Sequence, residues 1–221
     1  MSRLPEHILF DLDGTLLDSL PGIEFSVRSA FAVCGLKLLH SDIREMIGPP
    51  IRTILSTVGE IVDENSLDKL EQAFRADYDS AGWRKTVCFP DAGRVLRAMH
   101  ERGHQLFVLS NKPRHISLRI FEKEDILKYF QTIVTRDSRS PAYSGKEEMI
   151  VTLVTDHQIT MKDCLMVGDT IEDGKAAASV GIRFVWATYG YGNLAETPSI
   201  PVAYTLNSLS EFLALMEPVR D

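Results

Sequence analysis

Four aspartates in two short segments carry the acidic chemistry of this sequence. Asp11 and Asp13 are two residues apart and precede Gly14, which permits a sharp turn, whereas Asp169 and Asp173 are four apart. Two carboxylates this close repel each other unless a cation lies between them or one keeps its proton. No histidine or cysteine lies directly beside them, and hard cations prefer such all-oxygen ligands. The spacing predicts a divalent metal site, with Mg²⁺ as the usual metal of phosphate chemistry.

A second set of residues could bind the oxygens of a phosphate group. Ser110 and Asn111 end one strand-like segment, and Lys146 begins a helix-like segment. Their hydroxyl, amide and ammonium groups can donate hydrogen bonds to phosphoryl oxygens as charge develops there. Lys112 competes with Lys146 for the role of phosphate-binding lysine. We expect Lys146, because it lies on the helix that connects two predicted strands.

The elements that must position these residues alternate between strands and helices. Short apolar, β-branched segments are typical of parallel strands that are covered on both faces. The predicted strands are His7–Leu12, Gln105–Ser110, Gln131–Thr135, Cys164–Gly168, Arg183–Trp186 and Ala203–Leu206. The predicted helices between them are Asp91–Arg102, Arg114–Phe121, Lys146–Asp156 and Glu172–Val180. This alternation predicts a doubly wound α/β sheet, which binds ligands beyond the carboxyl ends of its strands.

Residues 19–86 break the alternation, because they contain no convincing strand. The predicted helices in this region are Gly22–Val33, Ser41–Ile47, Ile51–Val58 and Ser66–Ala81, with Ser41 and Ser66 as N-caps. An all-helical stretch of this length between the first two strands predicts an inserted domain. We therefore expect an α/β core of residues 1–18 and 87–221 and a helical cap domain of residues 19–86.

The composition is that of an ordinary soluble globular protein. Of 221 residues, 44% are hydrophobic and 25% are charged, and the three cysteines are far apart, which suits a reducing compartment. The net charge of −7 argues against a nucleic-acid partner, which requires a positive surface. No apolar run approaches the ~18 residues that cross a bilayer, and no signal-peptide pattern is present. We expect a cytoplasmic protein with no membrane partner, as a monomer or weak homodimer.

Four short motifs, taken in order, resemble those of the haloacid dehalogenase-like (HAD) phosphatases. They are Asp-Leu-Asp-Gly-Thr-Leu at 11–16, Leu-Ser-Asn at 109–111, an isolated Lys146 and Gly-Asp-Thr-Ile-Glu-Asp at 168–173. The resemblance implies a Rossmann-like core, and the helical insertion resembles the family's C1-type cap. Ser-Asn-Lys-Pro at 110–113 and Thr-Tyr-Gly-Tyr-Gly at 188–192 favour the phosphoglycolate phosphatase-like branch.

The resemblance also implies a role for each aspartate. Asp11 would attack phosphorus and form a covalent aspartyl-phosphate. Asp13 would protonate the leaving alkoxide and then deprotonate the water that hydrolyses the intermediate. Mg²⁺ would be held by Asp11, Asp169 and the backbone carbonyl of Asp13, with Asp173 binding through water or orienting the ligands.

The phosphate-binding residues follow from the same resemblance. Ser110 and Lys146 would donate to the equatorial phosphoryl oxygens, with Asn111 as a helper. Gly14 and Thr15 of the first motif belong to the same substrate-binding set.

The cap is expected to contact the leaving group. Arg44, Arg52 and the Gly48–Pro50 turn between them are the candidates for binding an anion of the substrate. The predicted function is hydrolysis of a small phosphorylated metabolite, of the phosphoglycolate type. Two alternatives remain open: phosphoryl transfer to a sugar, as in β-phosphoglucomutase-like enzymes, and a non-catalytic binding module on the same fold.

Overall fold

A six-stranded parallel sheet forms the centre of the protein in the computed structural model, which describes residues 4–194 and 199–216. Residues 1–3, 195–198 and 217–221 of the predicted core lie outside the described residues. In spatial order the strands are β5 (Phe130–Thr135), β4 (Gln105–Ser110), β1 (His7–Phe10), β6 (Cys164–Gly168), β7 (Arg183–Ala187) and β8 (Val202–Leu206). Every neighbouring pair is parallel. All six predicted strands are confirmed, with ends within two residues of those observed.

The strand order reverses direction between β1 and β6. From β1 the chain proceeds to β4 and β5 on one side, and then returns to β6, β7 and β8 on the other. Ligands of open α/β sheets bind in the crevice at this point, outside the carboxyl ends of the strands. Asp11 follows β1 and Asp169 follows β6, so the topology brings the two acidic segments together.

Helices cover both faces of the sheet. They are α4 (Ala92–Glu101), α5 (Arg114–Lys123), α6 (Lys146–Asp156), α7 (Ile171–Ser179) and a short α8 (Glu211–Leu215) that was not predicted. Because successive strand residues point to opposite faces, Phe10 packs in the cluster that contains Leu96 of α4, whereas Leu9 packs with Ile150 of α6. The doubly wound architecture predicted from the sequence is confirmed.

Residues 19–86, which the sequence predicts to be an insertion, contain α1 (Leu20–Cys34), α2 (Ile51–Gly59) and α3 (Glu64–Ser80). This segment begins and ends beside a two-stranded antiparallel pair, β2 (Leu17–Asp18) with β3 (Val87–Cys88), which the sequence analysis did not predict. In the described parts of the chain, no helix has both the length and the apolar character that crossing a membrane requires.

Two details of the predicted insertion are wrong. The helix predicted over Ser41–Ile47 is only a 3-10 turn at Arg44–Met46. The side chain of Asp42 accepts a hydrogen bond from the backbone N–H of Arg44 at 3.0 Å, a local pairing that competes with helix formation. The N-cap of α3 is Asp63, whose carboxylate accepts from the backbone N–H of Ser66 at 3.0 Å. Ser66 therefore lies inside the first turn of α3.

Candidate active site

Three buried carboxylates meet at the switch point of the sheet. Asp11 directly follows β1, Asp169 directly follows β6, and Asp173 lies in the first turn of α7. One oxygen from each lies within 4.8 Å of the others. The side chain of Asp13 is not part of this group. The fold thus brings together three of the four aspartates that were predicted to bind the metal, and Asp13 is the exception.

Lys146 lies against this acidic group as the first residue of α6. Its Nζ is 2.7 Å from Oδ1 of Asp11 and 2.5 Å from Oδ1 of Asp173, and the side chain is buried. Burial alone would lower the pKa of Lys146, but the two carboxylates reverse this effect and hold that pKa well above its usual value. The lysine is therefore a permanent positive charge beside Asp11.

One lysine does not neutralise three carboxylates. Burial, assisted by the charges of Asp173 and Asp169, raises the pKa of Asp11 well above its usual value despite the opposing effect of Lys146. Burial and the charge of Asp173 raise the pKa of Asp169 to about 7. Because a divalent cation would supply the missing positive charge and the donors are all oxygens, the residues present fit Mg²⁺.

The loop of residues 188–192, which we call the tyrosine loop, fixes Asp169. Oδ2 of Asp169 accepts hydrogen bonds from the backbone N–H of Tyr191 at 2.7 Å and of Gly192 at 3.2 Å. Oδ1 accepts from the hydroxyl of Thr15 at 3.1 Å. Gly14 has a φ of 88°, and a Cβ at this position would lie 2.2 Å from Oδ2 of Asp169. The first motif and the tyrosine loop thus enclose one carboxylate from two sides.

Asp173 also caps α7. Its Oδ2 accepts from the backbone N–H of Thr170 at 3.0 Å and from the Thr170 hydroxyl at 2.6 Å, and Thr170 caps the helix in return. The other oxygen, Oδ1, is the one that contacts Lys146. One carboxylate therefore serves both the helix terminus and the acidic group.

Asp13 lies outside the group of three carboxylates, and its side chain contacts Lys112. The Nζ of Lys112 donates to Oδ1 of Asp13 at 2.9 Å and to the hydroxyl of Tyr78 in α3 at 2.8 Å. The backbone N–H of Lys112 donates to Oγ of Ser110, which is buried at the end of β4. Of the two competing lysines, Lys146 lies at Asp11 and Lys112 lies at Asp13.

Asn111 and Arg44 connect the insertion to the core. The Asn111 amide donates to the carbonyl of Gly48 at 2.9 Å and also contacts Glu172. Arg44 donates to the carbonyl of Gly190 in the tyrosine loop at 2.8 Å. We call these two contacts and the Lys112–Tyr78 hydrogen bond the closing contacts; other hydrogen bonds, such as that from Arg119 to the carbonyl of Asp79 at 2.9 Å, also join insertion and core. The Arg44 side chain is thus engaged with the core.

Arg52 is surrounded by carboxylates of its own insertion. It forms ion pairs with Glu64, with Asp68 at 2.8 Å and with Glu71 at 3.2 Å. It nevertheless lines a cavity of about 530 Å³ between the insertion and the sheet. Asp13, Asn111 and Lys112 line the same cavity.

Sequence reasoning missed Tyr78 and the structural role of the tyrosine loop. Tyr78 is a buried residue at a helical spacing typical of a core position, so its pattern gives no signal for the contact with Lys112. The repeated Tyr-Gly of residues 189–192 was a signal, because a glycine beside a compact site marks a close approach of backbone. A Cβ on Gly190 would lie 2.3 Å from Cβ of Asp169.

Comparisons with known proteins agree with this geometry. A family model of haloacid dehalogenase-like hydrolases matches residues 8–187. The phosphoglycolate phosphatase of Vibrio parahaemolyticus is 27% identical over 217 residues, which are 95% of each chain. The tyrosine-protein kinase PtkA of Mycobacterium tuberculosis is 29% identical over 217 residues, 96% of this chain and 73% of that protein.

A solved structure extends the likeness to three dimensions. A haloacid dehalogenase-like family hydrolase from Streptococcus pneumoniae superimposes with a TM-score of 0.85 at 25% identity, covering 96% of this chain and 99% of that one. The family match spans β1 to β7 and so includes every residue of the acidic group. On this evidence, the chain belongs to the haloacid dehalogenase-like hydrolase family.

Proposed function

We propose that the chain is a Mg²⁺-dependent phosphatase that acts through an aspartyl-phosphate on Asp11. Its substrate is a small phosphorylated metabolite of the phosphoglycolate type, that is, a phosphate monoester that bears an acidic group. Family membership makes the chain a hydrolase, and its phosphatase relatives support a phosphate monoester as the substrate class. The observation that carries the proposal is the buried Asp11, with Lys146 at 2.7 Å and two further carboxylates within 4.8 Å.

The first half-reaction transfers the phosphoryl group to the enzyme. A carboxylate oxygen of Asp11 attacks phosphorus, and the bond between phosphorus and the leaving oxygen breaks. Asp13 donates its proton to that oxygen, so the leaving group departs as a neutral alcohol. Asp13 suits this role because it lines the cavity where the leaving group has room.

The second half-reaction restores the enzyme. Asp13, now a carboxylate, accepts a proton from water, and the water oxygen attacks phosphorus. The bond between phosphorus and Asp11 breaks, which releases inorganic phosphate and regenerates both side chains. Ser110 and Lys146 donate to the phosphoryl oxygens in both halves, with Asn111 beside them.

Asp11, Asp169 and the backbone carbonyl of Asp13 are the proposed metal ligands, with Asp173 orienting them. When bound, Mg²⁺ would neutralise negative charge on the phosphoryl oxygens. Lys146 keeps Asp11 and Asp173 from repelling each other, so the carboxylates are held in place in advance.

Three other functions are compatible with the same core. Transfer of the phosphoryl group to a sugar is less well supported, because isoleucines and Phe74 line much of the insertion side of the cavity, and its charged residues Arg52, Glu71 and Arg75 are paired with one another or with neighbouring carboxylates. PtkA is named a tyrosine kinase, but no feature of the present site favours a nucleotide over a simple ester. A non-catalytic role is disfavoured by the presence of Asp11, Asp13 and Asp169 together.

Phosphate release from a panel of phosphorylated metabolites tests the proposal. We expect hydrolysis that requires Mg²⁺ and that falls at least about a thousandfold in Asp11→Asn. The matched control is Asp156→Asn, an exposed aspartate at the end of α6, which should retain full activity. Equal rates in Asp11→Asn and wild type would overturn the nucleophile assignment, and Mg²⁺-independent release would overturn the metal requirement.

A further inference from the structure

The cavity between the insertion and the sheet is larger than phosphoglycolate requires. Its volume is about 530 Å³, within the range of about 300–1,000 Å³ that is typical of pockets for drug-sized ligands. Glycolate, the leaving group of phosphoglycolate, has only two carbon atoms. A leaving group that fills this space must be several times larger.

Much of the insertion side of the cavity is apolar, although Arg52, Glu71 and Arg75 also line it. Ile47, Ile51, Ile54 and Phe74 line it, and Ile23 contributes from α1. Contact with an apolar body is favourable because it removes apolar surface from water, at roughly 25 cal/mol per Å². Sugars and short hydroxy acids offer little such surface, whereas an aromatic ring or a branched hydrocarbon does.

Most of the basic side chains that line the cavity already have partners. Lys112 contacts Asp13 and Tyr78, and Arg52 is paired with three carboxylates. Arg75 donates to Glu71, and His115 contacts Asp79. These four side chains are held by the protein itself.

Arg136 differs from these four side chains in its contacts. It lines the cavity and is half-buried, and within residues 4–194 and 199–216 its side chain forms no hydrogen bond or ion pair. Its backbone is nonetheless fixed, because its N–H donates to the carbonyl of Ser110 at 2.9 Å and its carbonyl accepts from Tyr143 at 3.0 Å. The neighbouring Asp137 is engaged elsewhere, by the backbone N–H of Arg114 and the hydroxyl of Thr135.

We propose that Arg136 binds a carboxylate of the substrate, and that the cavity holds an apolar, ring-sized body between this carboxylate and the phosphate ester. The substrate is then a phosphate monoester of an aromatic or branched hydroxy acid. A guanidinium group suits this role because it can bind a carboxylate through two parallel hydrogen bonds. This inference rests on the proposed function and specifies its substrate class.

Three phosphate esters separate the two parts of the proposal. Phenyl phosphate offers the ring alone, phosphoglycolate offers the carboxylate alone, and para-carboxyphenyl phosphate offers both. We expect wild type to hydrolyse para-carboxyphenyl phosphate with the highest kcat/KM of the three. In Arg136→Gln, kcat/KM for this ester should fall by about 10- to 100-fold through KM, whereas that for phenyl phosphate should change less than about twofold.

Matched variants control for effects on folding. Arg136→Lys keeps the charge and should recover part of the lost affinity, and Arg94→Gln removes an exposed arginine outside the cavity and should behave as wild type. Equal losses on all three esters in Arg136→Gln would overturn the role of Arg136. A higher kcat/KM for phosphoglycolate than for para-carboxyphenyl phosphate would overturn the apolar body.

A binding measurement keeps this test independent of turnover. Calorimetric titration of Asp11→Asn with para-carboxyphenyl phosphate, with and without Arg136→Gln, reports on recognition alone. Weaker binding in the double variant supports the proposal, and equal binding overturns it, whether or not the wild type hydrolyses any ester. Failure of hydrolysis in every case would instead count against the proposed function.

Discussion

The backbone N–H of Tyr191 donates to Asp169 at 2.7 Å, while the hydroxyl of the same tyrosine lies at the start of the insertion. That hydroxyl accepts from the backbone N–H groups of Ser19 and Leu20, at 2.8 and 3.0 Å, and donates to Asp18 at 2.8 Å. One residue of the tyrosine loop therefore joins the proposed metal site to the point where the insertion leaves the core.

Removal of this hydroxyl should weaken folding but not metal binding. We expect Tyr191→Phe to lower the free energy of unfolding by about 1–3 kcal/mol, because two N–H groups at the N-terminus of α1 lose their acceptor. Urea unfolding measures this loss, and Tyr189→Phe, whose hydroxyl only donates to the carbonyl of Thr15, should lose less. Mg²⁺ affinity should stay within about twofold, since the N–H that donates to Asp169 remains. An unchanged urea midpoint in Tyr191→Phe would contradict the prediction.

Lys146 should stabilise the metal-free protein more than it stabilises the Mg²⁺-bound protein. Lys146→Met leaves Asp11 and Asp173 buried without their cation, which we expect to lower the free energy of unfolding by about 3–5 kcal/mol in EDTA. Saturating Mg²⁺ should reduce this loss, because it supplies positive charge to the same carboxylates. The control is Lys69→Met at an exposed position of α3. Equal losses in EDTA and in Mg²⁺ would show that lysine and metal do not share these carboxylates.

Mg²⁺ affinity should depend on pH. Burial raises the pKa of Asp169 from 3.8 to about 7, so below pH 7 a proton competes with the metal. We expect the affinity to increase at least about tenfold per pH unit up to about pH 7, because Asp169 must lose its proton and Asp11, whose pKa is also raised, can add to the dependence. Calorimetric titrations between pH 5.5 and 8.5 measure the profile. A flat profile would place the pKa of Asp169 well below this range.

The free energy of unfolding of the metal-free protein should decrease as pH rises, whereas the Mg²⁺ affinity increases. The folded pKa of Asp169 lies above its unfolded value, so the folded state holds a proton that the unfolded state releases. The stabilisation that comes from this bound proton is present at low pH and is lost as pH rises from about 4 to about 7. Denaturant unfolding in EDTA should therefore show a steeper decline for wild type than for Asp169→Asn, in which only the raised pKa of Asp11 still contributes.

Gly190 and Gly93 form a matched pair for the effect of one added methyl group. A Cβ on Gly190 would lie 2.3 Å from Cβ of Asp169 and 2.4 Å from the carbonyl oxygen of Gly14, so Gly190→Ala should cost about 1–3 kcal/mol. Gly93 lies in α4 with no atom within 4 Å of such a Cβ. Gly93→Ala should therefore stabilise the protein by about 0.5–1 kcal/mol. Thermal unfolding measures both, and equal shifts would contradict the packing argument.

The core was predictable from the sequence because its signals are local. Continuous apolar runs identify buried strands, and the chain direction then brings Asp11 and Asp169 to one edge of the sheet. The pairing of Leu17 with Cys88 was not predictable, because two-residue strands are too short to show a pattern. Asp63 rather than Ser66 caps α3, since several cap-forming residues lie within one turn and only the folded backbone selects one.

The roles of the arginines that line the cavity were the hardest to predict from the sequence. Arginine has the same appearance in sequence whether it is paired with three carboxylates, as Arg52 is, or lacks a partner in the described chain, as Arg136 does. The difference depends on which acidic residues neighbouring helices bring within reach. Residues far apart in sequence decide it, so it becomes visible only in three dimensions.

The closing contacts have a consequence for the timing of catalysis. An insertion that moves away from the sheet must break the bonds of Asn111 to Gly48, Arg44 to Gly190 and Lys112 to Tyr78 together. Motions of this kind take place in microseconds to milliseconds, and in many enzymes they limit kcat. Tighter closing contacts would therefore lengthen the time that a product stays bound. The enzyme's maximum frequency of turnover then depends in part on hydrogen bonds between insertion and core that take no part in breaking the ester.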